Sequence, residues 1–173
     1  MSINDETYFI GKISIPTDND NRINKLQTYI DHSQEEYLIK EFGYELYKLF
    51  IAELPTPTSQ RFTDILDGSD FTNATTGKLD RWIGLQNDEK VSMLTYFAYF
   101  NYLEGVNETE SSNGVTMSKF ENSDKVSPIQ KQVRAYNLGQ EQYCKLYDFM
   151  KANEDDYPEW DFTEVKRVNF LNI

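Results

Sequence analysis

The sequence predicts an all-α fold: a small helical bundle of four to five helices, with a long loop or hairpin excursion before the last helix and extended terminal arms. Three observations predict it. The stretch Val91 to Leu103 is apolar or aromatic at ten of its thirteen positions, five of them Phe or Tyr. An ordinary surface helix keeps one apolar stripe, so a helix this apolar all round is a buried one. Further on, Ile129, Val133, Tyr136, Gln140, Tyr143, Tyr147 and Met150 step alternately by four and three, which is heptad spacing interrupted only by Gln140. Near the start, Ile23, Leu26, Ile30, Tyr37 and Leu38 approximate a helical apolar face with a gap around Ser33.

Taken in order, Tyr8 to Pro16 mixes β-branched residues with Gly11 and reads as a short extended lead-in. Asp18, Asp20 or Asn21 can then accept the free amide protons of a starting helix. Gly43 breaks that helix, and Leu46, Tyr47, Leu49 and Phe50 continue it as a second, short one, stopped by Pro55 and Pro57, which cannot donate to a helix. Arg61 to Leu85 is the least regular part. It holds a turn of helix before Gly68, then a loop rich in Thr, Asn and Gly, then a short helix gathering Leu79, Trp82 and Ile83 until Gly84 stops it. Asp88 is placed to cap the buried helix, from Glu89 to Glu104. The segment from Gly105 to Ser127 is rich in Ser, Asn and Glu, a length that in a compact domain is functional or disordered. Val115, Met117 and Phe120 alternate loosely within it, as a projecting hairpin would require. Pro128 suits the first turn of the last helix, which ends before "NEDDYPEW". The expected organisation is therefore an extended segment at 1–19, a bundle domain at 20–160 with a projecting loop at 105–127, and a C-terminal arm at 161–173.

Composition narrows the function. At 173 residues and 39% hydrophobic, the chain is one globular domain with a sizeable core. A net charge of −12 argues against gripping nucleic acid through its phosphates, which requires Lys and Arg. The N-terminus lacks the basic start and apolar run of a secretory signal, and the apolar stretch is shorter than the ~20 residues of a membrane span and is interrupted by Asn101, so neither export nor a membrane is expected. The lone Cys144 excludes an intramolecular disulfide framework.

No catalytic constellation stands out. His32 is the single histidine; with Glu35 it forms His-x-x-Glu once, whereas carboxylate-bridged metal bundles need Glu-x-x-His twice. A nucleophile mechanism would also have to use His32, and neither Cys144 nor any serine lies in a nucleophile motif. Asp64, Asp67 and Asp70 lack the spacing of a calcium loop. Glu154, Asp155 and Asp156 fall at the end of a helix, where negative charge is disfavoured; a frayed or solvated terminus and a partner contact both fit. No enzyme activity, metal or cofactor is expected. On the buried helix Tyr96, Tyr99 and Tyr102 recur every three residues, and two readings fit them. They form the edge of an aromatic core, or they pack against a neighbouring subunit, where Tyr is enriched.

The succession "EFGYELYKLF" (Glu41 to Phe50), "GKLDRWIGL" (Gly77 to Leu85), "SMLTYFAYFNYL" (Ser92 to Leu103), "SSNGV" (Ser111 to Val115) and "AYNLGQEQY" (Ala135 to Tyr143), with "YPEW" after the last helix, resembles the head–tail connector (adaptor) proteins of tailed bacteriophages, in particular the ring proteins of crAss-like gut phages. The resemblance covers about residues 20–160 and each motif in it is structural. It implies a structural virion protein at the head–tail junction, made in the host cytoplasm. It also implies a homo-oligomeric ring, generally dodecameric, that binds the portal protein on one side and the next tail or ring protein on the other. DNA passes through such a channel without specific binding, and an acidic, weakly repulsive wall suits that passage. By this resemblance Val115, Met117 and Phe120 of the loop, and Val168, Phe170, Leu171 and Ile173 of the tail, are candidate partner-binding residues. Tyr96, Tyr99 and Tyr102 are then candidates for the subunit interface. A tail folded back on its own bundle is the other expectation for the C-terminal arm. The alternative function, from the charge alone, is an acidic DNA-mimic inhibitor or another small helical binding module.

Overall fold

A computed structural model of the chain describes residues 2–15, 20–111, 114–117, 128–164 and 166, with backbone alone at 20–25, 106–111, 114–117 and 128. The fold is all-α in its core. Helix α1 (Asp20–Glu53) is followed by α2 (Gln60–Asp67), a hairpin β1 (Ser69–Thr72) and β2 (Leu79–Trp82), then α3 (Met93–Asn107). A second hairpin, β3 (Glu108–Ser111) and β4 (Gly114–Met117), leads towards α4 (Pro128–Ala152). Single 3₁₀ turns lie at Glu6–Tyr8, Gly11–Ile13 and Glu154–Asp156. Helix α3 packs chiefly against α4 and α1.

Helix α1 bends where the sequence places a break. Gly43 has φ 74° and ψ 161°, a conformation essentially closed to residues with a Cβ. The prolines after Leu54 end the helix as expected. Two apolar clusters form the interior. The larger one gathers Leu38, Phe42, Leu46 and Phe50 of α1, Phe62 and Ile65 of α2, Trp82, Met93 and Phe97, and Tyr143, Leu146, Phe149 and Met150 of α4. At about 1.5–3 kcal/mol per fully buried large side chain, this cluster is the main driving force for folding. Phe97 sits at its centre, stacked on Tyr37 at 3.6 Å between ring centroids and edge-on to Tyr136 at 5.4 Å.

The smaller cluster answers what covers an all-round apolar helix. Tyr8, Phe9, Ile13 and Ile15 of the N-terminal segment close over Leu26 and Ile30 of α1, Ala98 and Tyr99 of α3 and Ala135 of α4. So the described part of the expected extended lead-in is two 3₁₀ turns folded into the interior. Hydrogen bonds fasten it. Ile3 N–H donates to Gln34 Oε1 at 2.7 Å, Asn4 Nδ2 to the Leu85 carbonyl at 2.9 Å, and Ser92 Oγ to Asn4 Oδ1 at 2.9 Å.

Three further expectations change. The segment expected as a short helix at Leu79 to Ile83 is strand β2, with Ser69 opposite Trp82 and Thr72 opposite Leu79. The Asn73 side chain builds the turn by accepting from Thr75 N–H and Thr76 N–H, both at 3.0 Å. Such an Asx turn replaces the backbone bonds a helix would make. Helix α3 begins at Met93, so Asp88, exposed in the preceding turn, does not cap it. In α4 the buried face is Ala135, Gly139, Gln140, Tyr143, Leu146, Phe149 and Met150, while Ile129 is exposed and Tyr136 and Tyr147 are only half-buried. The heptad reading misses Ala135 and Gly139 because small residues carry no apolar signal, yet they let α3 approach. A Cβ on Gly139 would lie 2.9 Å from the Phe97 ring.

Candidate functional site

The break at Gly43 leaves the last carbonyls of the first half of α1 without helical partners, and a helix end needs them satisfied. The chain after α4 supplies the donors. Trp160 Nε1 donates to the Glu41 carbonyl at 2.6 Å, Asp161 N–H to that of Phe42 at 3.0 Å, and Thr163 N–H to that of Lys40 at 2.7 Å. Tyr143 on α4 holds this strap from below, its hydroxyl donating to the Thr163 carbonyl at 2.6 Å. Phe162 packs on Tyr147 at 4.3 Å and Trp160 on Tyr147 at 5.4 Å. Upstream, Tyr157 is buried and donates to the Arg61 carbonyl at 2.9 Å, while Arg61 binds the Asp156 carbonyl at 2.9 Å and the Glu159 carboxylate at 3.0 Å.

Beneath the strap lies the least expected group in the molecule. Glu41 is fully buried, and among the described residues neither carboxylate oxygen has a partner at hydrogen-bond geometry. Burial drives its pKa well above the ordinary carboxylate range. Tyr143 acts in the opposite sense, drawing the carboxyl down by less than burial lifts it, and burial together with the nearby Glu41 raises that phenol in turn. The Tyr143 proton is committed to Thr163, so a protonated Glu41 is the form that suits this chamber. Nothing in the sequence singles out Glu41 among 29 acids, apart from its place two residues before a helix-breaking glycine.

The residues expected to bind partners divide. Val115 and Met117 lie on β4, where Met117 is opposite Glu108 and Val115 opposite Glu110, so the loop does hold a hairpin. Phe120, Val168, Phe170, Leu171 and Ile173 lie outside the described residues. The strap Trp160–Thr163 folds back on its own bundle; of the tail beyond it only Glu164 and Lys166 are described, so the choice between a docked and a folded-back tail lies outside the described residues. Among the three tyrosines, Tyr99 is buried in the smaller cluster, and Tyr96 and Tyr102 are half-buried against it, Tyr102 edge-on to Tyr29 at 6.0 Å. The cover that the resemblance assigns to a neighbouring subunit is thus provided for Tyr99 by the chain's own N-terminal turns.

The remaining candidates stay apart. His32 is exposed and faces Glu36 at 3.7 Å, not Glu35. Among the described residues no group of three or more His, Cys, Asp or Glu side chains is placed to hold a metal ion. No helix among them is long and apolar enough to cross a membrane. Among the described residues, two surface cavities stand out for their charged linings. One, of about 410 Å³, mixes Asp67, Arg81, Asp88 and Glu89. The other, of about 120 Å³, is lined by Lys12, Lys131 and Arg134 over Ile13, Ala135 and Leu138, with no carboxylate. No protein-family model matches the chain, and no curated protein or solved structure matches it either.

Proposed function

We propose that the chain is a structural virion protein that forms a head–tail connector ring under the portal, extending the DNA channel and joining capsid to tail. The observation that carries this reading is the order of elements. The resemblance implies a small helical bundle whose long loops make contacts, and the hairpin β3–β4 falls in the long loop before the last helix, the segment assigned to partner contact. The excess of acidic residues supports the same reading, since DNA must slide past such a ring without adhering. In this reading the protein works by assembly and has no catalytic step. The bundle supplies a rigid wedge, the hairpin and the residues beyond Glu164 reach the portal and the next tail component, and lateral contacts between wedges close the ring.

The experiment is the mass in solution by light scattering over a range of concentrations, with and without a portal complex. Twelve-fold rings, or a monomer that joins the portal to form them, support the connector. A monomer indifferent to the portal sinks it and favours the acidic DNA mimic. A truncation sharpens the assignment of contacts. Removing residues 164–173 should leave the bundle folded, because the strap ends at Thr163, and should abolish portal binding. Unchanged binding would remove the arm from the interface.

A further inference from the structure

The cavity between the second 3₁₀ turn and the start of α4 is unusual for this chain. Lys12, Lys131 and Arg134 converge on it, all three exposed, and among the described residues no carboxylate lies within ion-pair distance of any of them. In a protein with 29 acidic and 17 basic residues, a cluster of unpaired cations with no acid in its lining calls for an anionic occupant. The floor of Ile13, Ala135 and Leu138 is apolar, and 120 Å³ is room for about four waters or for one or two carboxylates. The positive end of the α4 dipole, one turn away at Pro128, acts in the same direction.

The opposite end of the same helix carries the complement. Glu154, Asp155 and Asp156 form an exposed 3₁₀ turn directly after α4, against the negative end of its dipole. Only Glu154 has a cation, Lys151; among the described residues neither the Asp155 nor the Asp156 carboxylate has one. The two features cannot meet within one molecule, because about 27 Å of α4 separates Arg134 from the helix end at Ala152. They can meet only between molecules.

We propose that this basic groove is a docking site for the acidic turn Glu154–Asp156 of a second copy of the chain, joining copies head to tail. Such a contact is heterologous: each copy offers a groove on one side and a turn on the other, and a rotation that closes gives a ring. The proposal rests on the ring reading above and supplies its lateral contact. Each contact sets the negative end of one α4 against the positive end of the next.

The test uses two charge-reversed chains, one with Lys131→Glu and Arg134→Glu, the other with Asp155→Lys and Asp156→Lys. All four side chains are exposed, so both variants should fold, with unchanged circular dichroism. Sedimentation and light scattering should show wild-type assembly, and each variant alone should need about tenfold or more higher concentration to assemble, because it sets like charges against each other. Mixed in equal amounts the two should assemble again, since each reversed groove then meets a reversed turn and each natural groove a natural one. Variants that assemble as readily as wild type, or a mixture no better than its components, would overturn the groove-to-turn contact while leaving the ring standing. A wild-type chain that never assembles, with or without the portal, would overturn the ring itself.

Discussion

A single buried carboxyl makes a sharp claim about pH. In the unfolded chain Glu41 loses its proton near pH 4.3, as any glutamate does. In the folded chain burial raises its pKa, so over the interval between the two values the native state holds one proton more than the unfolded state. Stability then falls as pH rises through that interval, since its slope follows the difference in bound protons. Replacing Glu41 by Gln keeps the shape and removes the titration. The variant should match wild type below about pH 4 and exceed it progressively above pH 5, by about 1.4 kcal/mol for each unit over which the native carboxyl stays protonated. Urea unfolding at several pH values would check this, and parallel stability profiles would show that Glu41 is solvated or paired. Such a residue is illegible in sequence. Charged side chains are read as surface, and only the fold shows that Glu41 follows the buried face of Leu38 and Phe42 into the core.

At the scale of elements, the break at Gly43 was legible and its partner was not. Glycine after a periodic apolar run signals a helix stop, but no local pattern says that residues 160–163, more than a hundred positions later, will satisfy the freed carbonyls. Gly43→Ala tests that link. A Cβ there would meet Asp161 Cβ at 2.7 Å, and the backbone conformation is strained for any residue but glycine. The substitution should cost about 3 kcal/mol and speed hydrogen exchange at the Asp161 and Thr163 amides ahead of the rest of the fold. Uniform exchange, or an unchanged melting temperature, would mean the strap does not depend on the break. Gly139 makes the converse case on α4. Alanine is the better helix former by about 1 kcal/mol, yet its methyl would press on a Phe97 ring already stacked against Tyr37. Overpacking should win, with a net loss of about 1–2 kcal/mol in chemical denaturation. A stabilised Gly139→Ala would show that α3 and α4 can part at little cost. The heptad count places Gln140, Tyr143 and Met150 on the buried face of α4 correctly, and the same close approach explains why it passes over Ala135 and Gly139, which set the helix contact yet contribute little hydrophobicity. The hairpin β1–β2 escaped notice for a related reason, since Leu79, Asp80 and Arg81 are all exposed and leave no alternation to read.

For the molecule as a whole, the all-α class was legible because it rests on long periodic segments, whereas the site was not, because it depends on charges brought together from distant parts of the chain. Lys12 and Arg134 stand 122 positions apart and share one cavity. Charge also acts on the whole molecule in two opposed ways, and salt separates them. A net charge of −12 repels itself within the compact subunit, and raising salt from 0.01 to 0.15 M shortens the Debye length from about 30 to about 8 Å. The melting temperature of the dissociated subunit should therefore rise with salt. The contact between basic groove and acidic turn is attractive, so the same screening should weaken it, and the mean mass at fixed concentration should fall. Stability and assembly should thus move in opposite directions over one salt titration, followed by calorimetry on dilute protein and light scattering on concentrated protein. A mass that rises with salt would mean that copies associate mainly through apolar surface, with charge only holding them apart. The half-buried Tyr96 and Tyr102 would then be the first side chains to substitute.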